Sequence, residues 1–350
     1  MPTVRDFLEK INIDAQIEYD APMSAHTTFR IGGPADALVA PGNRAALVAL
    51  VAAARKEGIP LFILGGGANI LVGDKGIRGI VLDTRWLTSV CEEAPAAGSD
   101  SSAGSASNAG SASNAGGASN AGGASNAGGA PNAGGAPNLL VAEAGLSVDR
   151  LCEAALALGL AGLESFYGMP GRVGGSVFMN ARCYEVEMAD RLAWVEALTP
   201  EGRIERRIFS APEWSYKHSP YQSGGAAAAS IILAAAFRVA PGDRAAIEAA
   251  MREKRADREA KGHYRLPSAG SVFKNDRSLG RPTGKILDEL GFRGRRVGKA
   301  AVSEWHANIF VNDGGARAAE ISALVEMAKT EARTRLGIDL EPEILRVGEF

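Results

Sequence analysis

A chain of 350 residues, 46% of them hydrophobic, carries enough apolar material for two or three cores rather than one. Its 38 basic and 40 acidic residues leave a net charge of -2, which argues against the broad cationic footprint of a nucleic-acid-binding surface and confines any positive patch to a local site. Three widely spaced cysteines, Cys91, Cys152 and Cys183, contain no C-x-x-C pair, which argues against a disulfide framework or a zinc site and in favour of a reducing compartment.

The first residues, Met1 to Tyr19, mix acids and bases and lack the apolar core of a signal peptide, so a cytoplasmic location is expected. Ala35 to Pro41 reads as a strand and Asn43 as a helix cap, after which Ala46, Leu47, Leu50, Val51 and Ala54 recur at helical spacing until Gly58. Pro60 to Leu64 is a buried strand that runs into Gly65-Gly66-Gly67-Ala68-Asn69, with further strands at Ile70 to Val72 and Ile80 to Leu82. Glycines in such a β-α-β setting bring backbone N–H groups close to an anion, because no Cβ blocks the approach; a plain tight turn is the competing reading. The triplet is neither a Rossmann fingerprint, which needs glycine where Ile70 stands, nor a P-loop, since Val72-Gly73-Asp74 follows.

From Ala94 to Asn138 the chain nearly repeats Ala-Ser-Asn-Ala-Gly-Gly, without the large apolar side chains that offset ordering entropy, and a disordered surface insertion is expected. A long loop adds little closure cost, so the strands on either side, Ile80 to Asp83 and Leu139 to Ala142, can still belong to one sheet. Ser147 then caps a helix with Val148, Leu151, Cys152, Ala155 and Leu158 on one stripe, which makes Cys152 a core residue. A second glycine-rich segment, Gly168-Met169-Pro170-Gly171-Arg172-Val173-Gly174-Gly175, again suggests backbone laid against a flat or phosphorylated ligand.

Leu192 to Leu198 and Arg203 to Ile208 form a hairpin, Tyr216 to Tyr221 a polar-aromatic loop, and the alanine-rich run ending at Phe237 a buried strand too short to span a bilayer. A helix from Asp243 to Lys261 turns Ile247 and Met251 inward, and its charges read as solvated. Ser271 stands between Gly270 and a short apolar strand, where a turn serine is the plain reading. A short helix from Thr283 to Leu290, a basic loop from Arg293 to Lys299, a strand pair within Ala301 to Val311, a helix bearing Ile321, Leu324, Val325 and Ala328, and a last strand within Leu340 to Val347 complete the order.

Five of these segments together carry a likeness: His26-Thr-Thr-Phe-Arg30-Ile-Gly-Gly-Pro, Leu64-Gly-Gly-Gly-Ala-Asn-Ile-Leu-Val, Gly168-Met-Pro-Gly-Arg-Val-Gly-Gly, Ala269-Gly-Ser-Val-Phe-Lys-Asn and Leu340-Glu-Pro-Glu-Ile. The chain resembles the UDP-N-acetylenolpyruvylglucosamine reductases, in their shorter form without an inserted tyrosine loop, everywhere outside the repeat. The resemblance implies a mixed α/β and α+β fold: a two-part FAD-binding region of the vanillyl-alcohol-oxidase-like type, and a C-terminal α+β substrate-binding domain. The corresponding limits are 1–83, to which 343–350 return, then 84–240 with the insertion at 94–138, and 241–342. It further implies a monomer with FAD and NADPH as cofactors, a UDP-sugar enolpyruvyl ether as substrate, and no metal, nucleic acid or membrane.

Carried over by motif, Gly65, Gly66, Gly67 and Asn69 contact the flavin diphosphate, while Gly168, Met169, Pro170, Gly171, Gly174 and Gly175 line the flavin. The proton donor falls on Ser271 and the family's carboxylate on Glu343, as an acid or a positioning group. Tyr216, Lys274, Asn275 and Lys285 are placed on the substrate; Arg295, Arg296 and Lys299 either join them at its diphosphate or are solvated. One position departs, since Tyr216-Lys217 replaces the usual Tyr-Arg and loses the bidentate fork. Arg182 stands where a glycine is usual, so Arg182 and Lys217 are expected to share the cationic role. The alternatives are another FAD oxidase or dehydrogenase with the same flavin region, and a non-catalytic nucleotide-sugar-binding protein.

Overall fold

The computed structural model describes residues 3–93 and 138–350. The insertion expected at 94–138 falls outside the described residues, save that Asn138 begins a strand.

A helix, α1 (Val4–Lys10), precedes the first sheet. That sheet is built from β1 (Ala15–Pro22), β2 (Pro34–Pro41), β3 (Leu61–Leu64) and β5 (Ile77–Asp83) in the order β1-β2-β5-β3. β5 lies between β2 and β3, parallel to both, which is why Ile80, Val81 and Leu82 form an uninterrupted apolar run. Helix α2 (Arg44–Lys56) starts where the Asn43 side chain accepts from Ala46 N at 2.9 Å, and packs Leu47, Leu50, Val51 and Ala54 into the same core. The short β4 (Ile70–Val72) leaves this sheet.

The second sheet comprises β6 (Val90–Glu93), β7 (Asn138–Glu143), β8 (Leu160–Ala161), β11 (Leu192–Leu198), β12 (Ile204–Ile208) and β13 (Ile231–Pro241). Its path is β12-β11-β13-β7-β6, with β8 on the end of β13. The strands flanking the repeat therefore do not share a sheet: β5 belongs to the first, and β7 pairs instead with β6, Val90 opposite Ala142 and Glu93 opposite Leu139. β6 escapes the sequence pattern because Val90, Cys91 and Glu92 are all exposed and show no alternation. Helix α3 (Val148–Leu158) is capped by Ser147, which accepts from Arg150 N, and stops at the left-handed Gly159; Leu151, Cys152 and Ala155 pack on the sheet beside α4 (Val173–Phe178). The two-residue strands β9 (Arg182–Cys183) and β10 (Val186–Glu187) form a hairpin below α4, and α5 (Arg244–Ala260) covers α3.

The third sheet, in the order β14-β17-β16-β15, comprises β14 (Ser268–Ser271), β15 (Arg296–Val297), β16 (Ala300–Val302) and β17 (Ile309–Asn312). Between its strands and after them run α6 (Thr283–Glu289) and α7 (Ala318–Leu336), and Phe273 meets Phe310 edge-on at 6.1 Å in their shared core. Ser271 ends β14, so the strand precedes the hydroxyl instead of following it. The final strand β18 (Leu345–Val347) crosses back to pair in parallel with β4. Among the described residues no helix is long and apolar enough to cross a membrane.

Candidate active site

The first glycine segment follows β3, and the second leads into α4. At Gly66 a Cβ would stand 2.7 Å from Gly171 Cα, and at Gly67, whose φ is +63°, it would stand 2.3 Å from His26 O. Only glycine lets the two segments meet backbone to backbone, one from each of the first two sheets. Gly174 serves packing, since its Cβ would press on Ala144 Cβ at 2.8 Å, and Gly175 lies opposite Gly65.

Together they wall a cleft of about 1260 Å³ that extends to the edge of the third sheet. Nine of the ten residues placed on the cofactor line it, and so do Arg182, Tyr216, Lys217, Ser271, Asn275 and Glu343; Gly168 stands off the wall, its N–H donating to Asp149 Oδ1 at 2.6 Å. Its shape therefore suits a long dinucleotide with a second ligand beside it: a continuous backbone wall at one end and polar side chains at the other.

At that polar end Lys217 Nζ lies 2.6 Å from Glu343 Oε1. Lys217 holds a left-handed backbone at φ +58°, a strained conformation for a residue with a Cβ, and its carbonyl accepts from Gln222 Nε2 at 3.1 Å. Glu343 is placed by the first glycine segment: Asn69 Nδ2 donates to Glu343 O at 3.2 Å, and Leu345 N donates to Asn69 O at 2.9 Å. Asn69 thus ties the backbone that carries Glu343 to the turn that walls the cleft. Tyr216 joins three further pieces, its hydroxyl accepting from Asn275 N at 3.3 Å, with the Arg182 guanidinium 5.6 Å and Lys217 Nζ 5.8 Å from its ring. Arg182 also pairs with Glu185 and Glu187. Among the described residues the Ser271 hydroxyl makes no hydrogen bond to its own backbone, unlike the turn serine expected from the sequence.

Two lysines stand elsewhere. Lys274 Nζ is 2.7 Å from Glu341 Oε1, off the cleft wall, and Lys285 is exposed on α6. Of the basic loop, Arg295 pairs with Glu331 and Arg296 with Asp313, which commits both to surface ion pairs. The sequence reading also passed over Arg258. It is 9% exposed, lines the cleft, and sends Nη2 to within 2.6 Å of Cys183 Sγ. The signal was present, since Ile247, Met251 and Arg258 share the inward stripe of α5. Burial pushes the Cys183 thiol up, and burial also drives the neighbouring His263 imidazole down to about 4, with Arg258 acting in the same direction.

Residues 262–347 match the family profile described as the C-terminal domain of UDP-N-acetylenolpyruvoylglucosamine reductase, and residues 35–99 match an FAD binding domain. The chain is 33% identical over 345 residues to the UDP-N-acetylenolpyruvoylglucosamine reductase of Treponema denticola, across 96% of this chain and 95% of that one. The enzyme of the same name from Rubrobacter xylanophilus is 36% identical over 332 residues, covering 95% of each. The crystal structure of UDP-N-acetylenolpyruvylglucosamine reductase from Thermus caldophilus superimposes with a TM-score of 0.68 at 26% identity, over 96% of this chain and all 100% of that one. With relatives matched at this level over nearly their whole length, the chain belongs to the UDP-N-acetylenolpyruvoylglucosamine reductase family.

Proposed function

We propose that this protein reduces UDP-N-acetylglucosamine enolpyruvate to UDP-N-acetylmuramate, with FAD as its cofactor and NADPH as the reductant. The observation that carries this reading is the single cleft in which a glycine-walled cradle meets the Lys217–Glu343 pair, Tyr216 and Ser271. The cradle fits FAD because its wall is bare backbone: a Cβ at Gly66 would push the two glycine segments apart, and one at Gly67 would press on the His26 carbonyl behind the turn.

FAD, held against Gly65, Gly66, Gly67 and Gly171, would supply the hydride chemistry that links NADPH to the methylene carbon of the enolpyruvyl double bond. Everything else falls to side chains. Reduction of that carbon shifts negative charge toward the substrate carboxylate, and Lys217 and Arg182 are the cations positioned to stabilise it. Lys217 gives one of its three donors to Glu343, which leaves two for a ligand. Ser271 then donates a proton to the adjacent carbon. A serine is a weak acid, so the step depends on the basicity of the carbanionic centre and on exclusion of water from the cleft. Glu343 holds the Lys217 ammonium toward the substrate.

A monomer in the cytoplasm, free of membrane and nucleic acid, goes with this reading; the net charge of -2 argues against nucleic acid as a partner. The test is spectroscopic. Purified protein should be yellow, bleach anaerobically with NADPH, and recolour on addition of the enolpyruvyl substrate. A colourless protein, or a bleached flavin that ignores the substrate and reoxidises in air, would overturn the assignment.

A further inference from the structure

Asp83 closes β5 beside the cleft-lining Thr84 and is 1% exposed, yet its carboxylate is shared by two guanidinium groups. A carboxylate so buried needs cationic partners, but one would neutralise it. Arg85 satisfies that need alone: its Nε and Nη2 both bind Asp83 Oδ2, at 2.8 and 2.6 Å, its backbone N binds Oδ1 at 2.8 Å, and Nη2 also reaches His26 Nδ1 at 3.3 Å. Arg172 is therefore in excess. Among the described residues it gives only Nη1 to Asp83, so Nε and Nη2 are uncommitted, and its side chain is 23% exposed on the cleft wall. Its backbone is fixed at the seam of the two glycine segments, with the Arg172 N 3.2 Å from where a Gly66 Cβ would stand.

We propose that Arg172 binds the diphosphate of the flavin dinucleotide, and that Asp83 is the positioning residue that aims its guanidinium at the glycine seam. The inference rests on the reading that FAD occupies this cleft. One net positive charge sits where the backbone wall is closest, and the doubly charged diphosphate is the part of the ligand that needs it. The Asp83–Arg172 bond also crosses from the first sheet to α4 of the second region, so binding of the diphosphate and closure of the seam reinforce each other.

The experiment titrates the full-length chain, freed of flavin, with FAD and with riboflavin, following flavin fluorescence. Arg172→Met is expected to weaken FAD by about 10- to 100-fold, the range for a lost charge-assisted hydrogen bond, and to leave riboflavin unchanged. Arg172→Lys, which keeps the charge and loses the fork, should fall between. Asp83→Asn should weaken FAD more than riboflavin, and adding Arg172→Met to it should cost little more. Should Arg172→Met fail to fold, Arg172→Lys decides instead: weaker FAD with riboflavin unchanged supports the inference, and a loss of FAD and riboflavin affinity in equal measure overturns it. Unchanged FAD affinity in Arg172→Met, or a loss confined to the UDP-sugar, likewise overturns it. Wild-type protein that binds no FAD at all would overturn the cofactor reading itself.

Discussion

Lys217 Nζ and Glu343 Oε1 lie 2.6 Å apart with their side chains only 11% and 12% exposed, although 126 positions separate them in the chain, 343 minus 217. The contact exists because β18 returns to β4 directly behind the first glycine segment, which carries Glu343 to the loop holding Lys217. The cradle and the reactive end of the cleft are thereby one construction.

The pair is expected to act as a unit. Lys217→Ala and Glu343→Gln should each lower kcat by about 10²- to 10³-fold, the scale of a lost electrostatic contact to developing charge, and the double variant should be little worse than either. Arg182→Ala should cost only about tenfold, because its guanidinium is already shared with Glu185 and Glu187. Steady-state kinetics on the four proteins checks this. Full turnover in Arg182→Ala would remove Arg182 from the shared cationic role.

Ser271 stands at the end of β14, paired with Ile309 and facing the cleft. Replacing it with alanine removes a proton donor and no large packing group, so the two half-reactions should separate. Stopped-flow absorbance is expected to show flavin reduction by NADPH within about twofold of the wild type, and reoxidation by substrate slowed about 10²- to 10⁴-fold. Equal slowing of both would mean that Ser271 only supports the local backbone.

Much of this architecture was legible in the chain because local rules and the fold agree. Asn43 and Ser147 cap helices that begin one residue later, and Gly159 ends one with the left-handed conformation that glycine tolerates. The glycine segments, too, declare a close approach. The failures are equally physical. β6 is exposed and has no apolar face, so nothing local marked it, and the sheet of β7 stayed open for want of its true partner. α4 is hidden by Gly174 and Gly175, which oppose helix by propensity, and packing against Ala144 requires the first of them. Arg258 and Arg172 needed three dimensions, since each acquires its meaning from a partner in another element: Cys183 for one, Asp83 for the other.

His263 makes stability depend on pH. In the folded protein its imidazole is driven from 6.5 down to about 4, first by burial, then by Arg258 and by His306, whose ring is 6.3 Å away. Above pH 6.5 the ring is neutral in both states and the contribution is constant. As pH falls from 6.5 toward 4, the unfolded chain takes up a proton that the folded protein refuses, so stability declines through that window and levels off below it. Urea unfolding at pH 7 and pH 4.5 should show a smaller difference in His263→Gln than in the wild type. An equal difference would place the titration elsewhere.

The hairpin of β6 and β7 predicts what the repeat contributes. Glu93 faces Leu139 across an antiparallel pair, so the chain enters and leaves 94–137 at neighbouring positions. Replacing 95–137 with Asn-Gly continues the register by one pair and closes it with the turn whose twist matches a two-residue hairpin. Loop closure depends only on the logarithm of loop length, so this truncation should change stability by no more than about 3 kcal/mol, in the favourable direction. Flavin content and turnover should remain those of the full chain, because the cleft wall is drawn from the glycine segments, the Tyr216 loop and the third sheet, on other elements than this hairpin. Absorbance of the purified variant at the flavin band, scaled to protein, reads the outcome directly. Loss of bound flavin in a variant that still unfolds cooperatively would make the repeat part of the cofactor site.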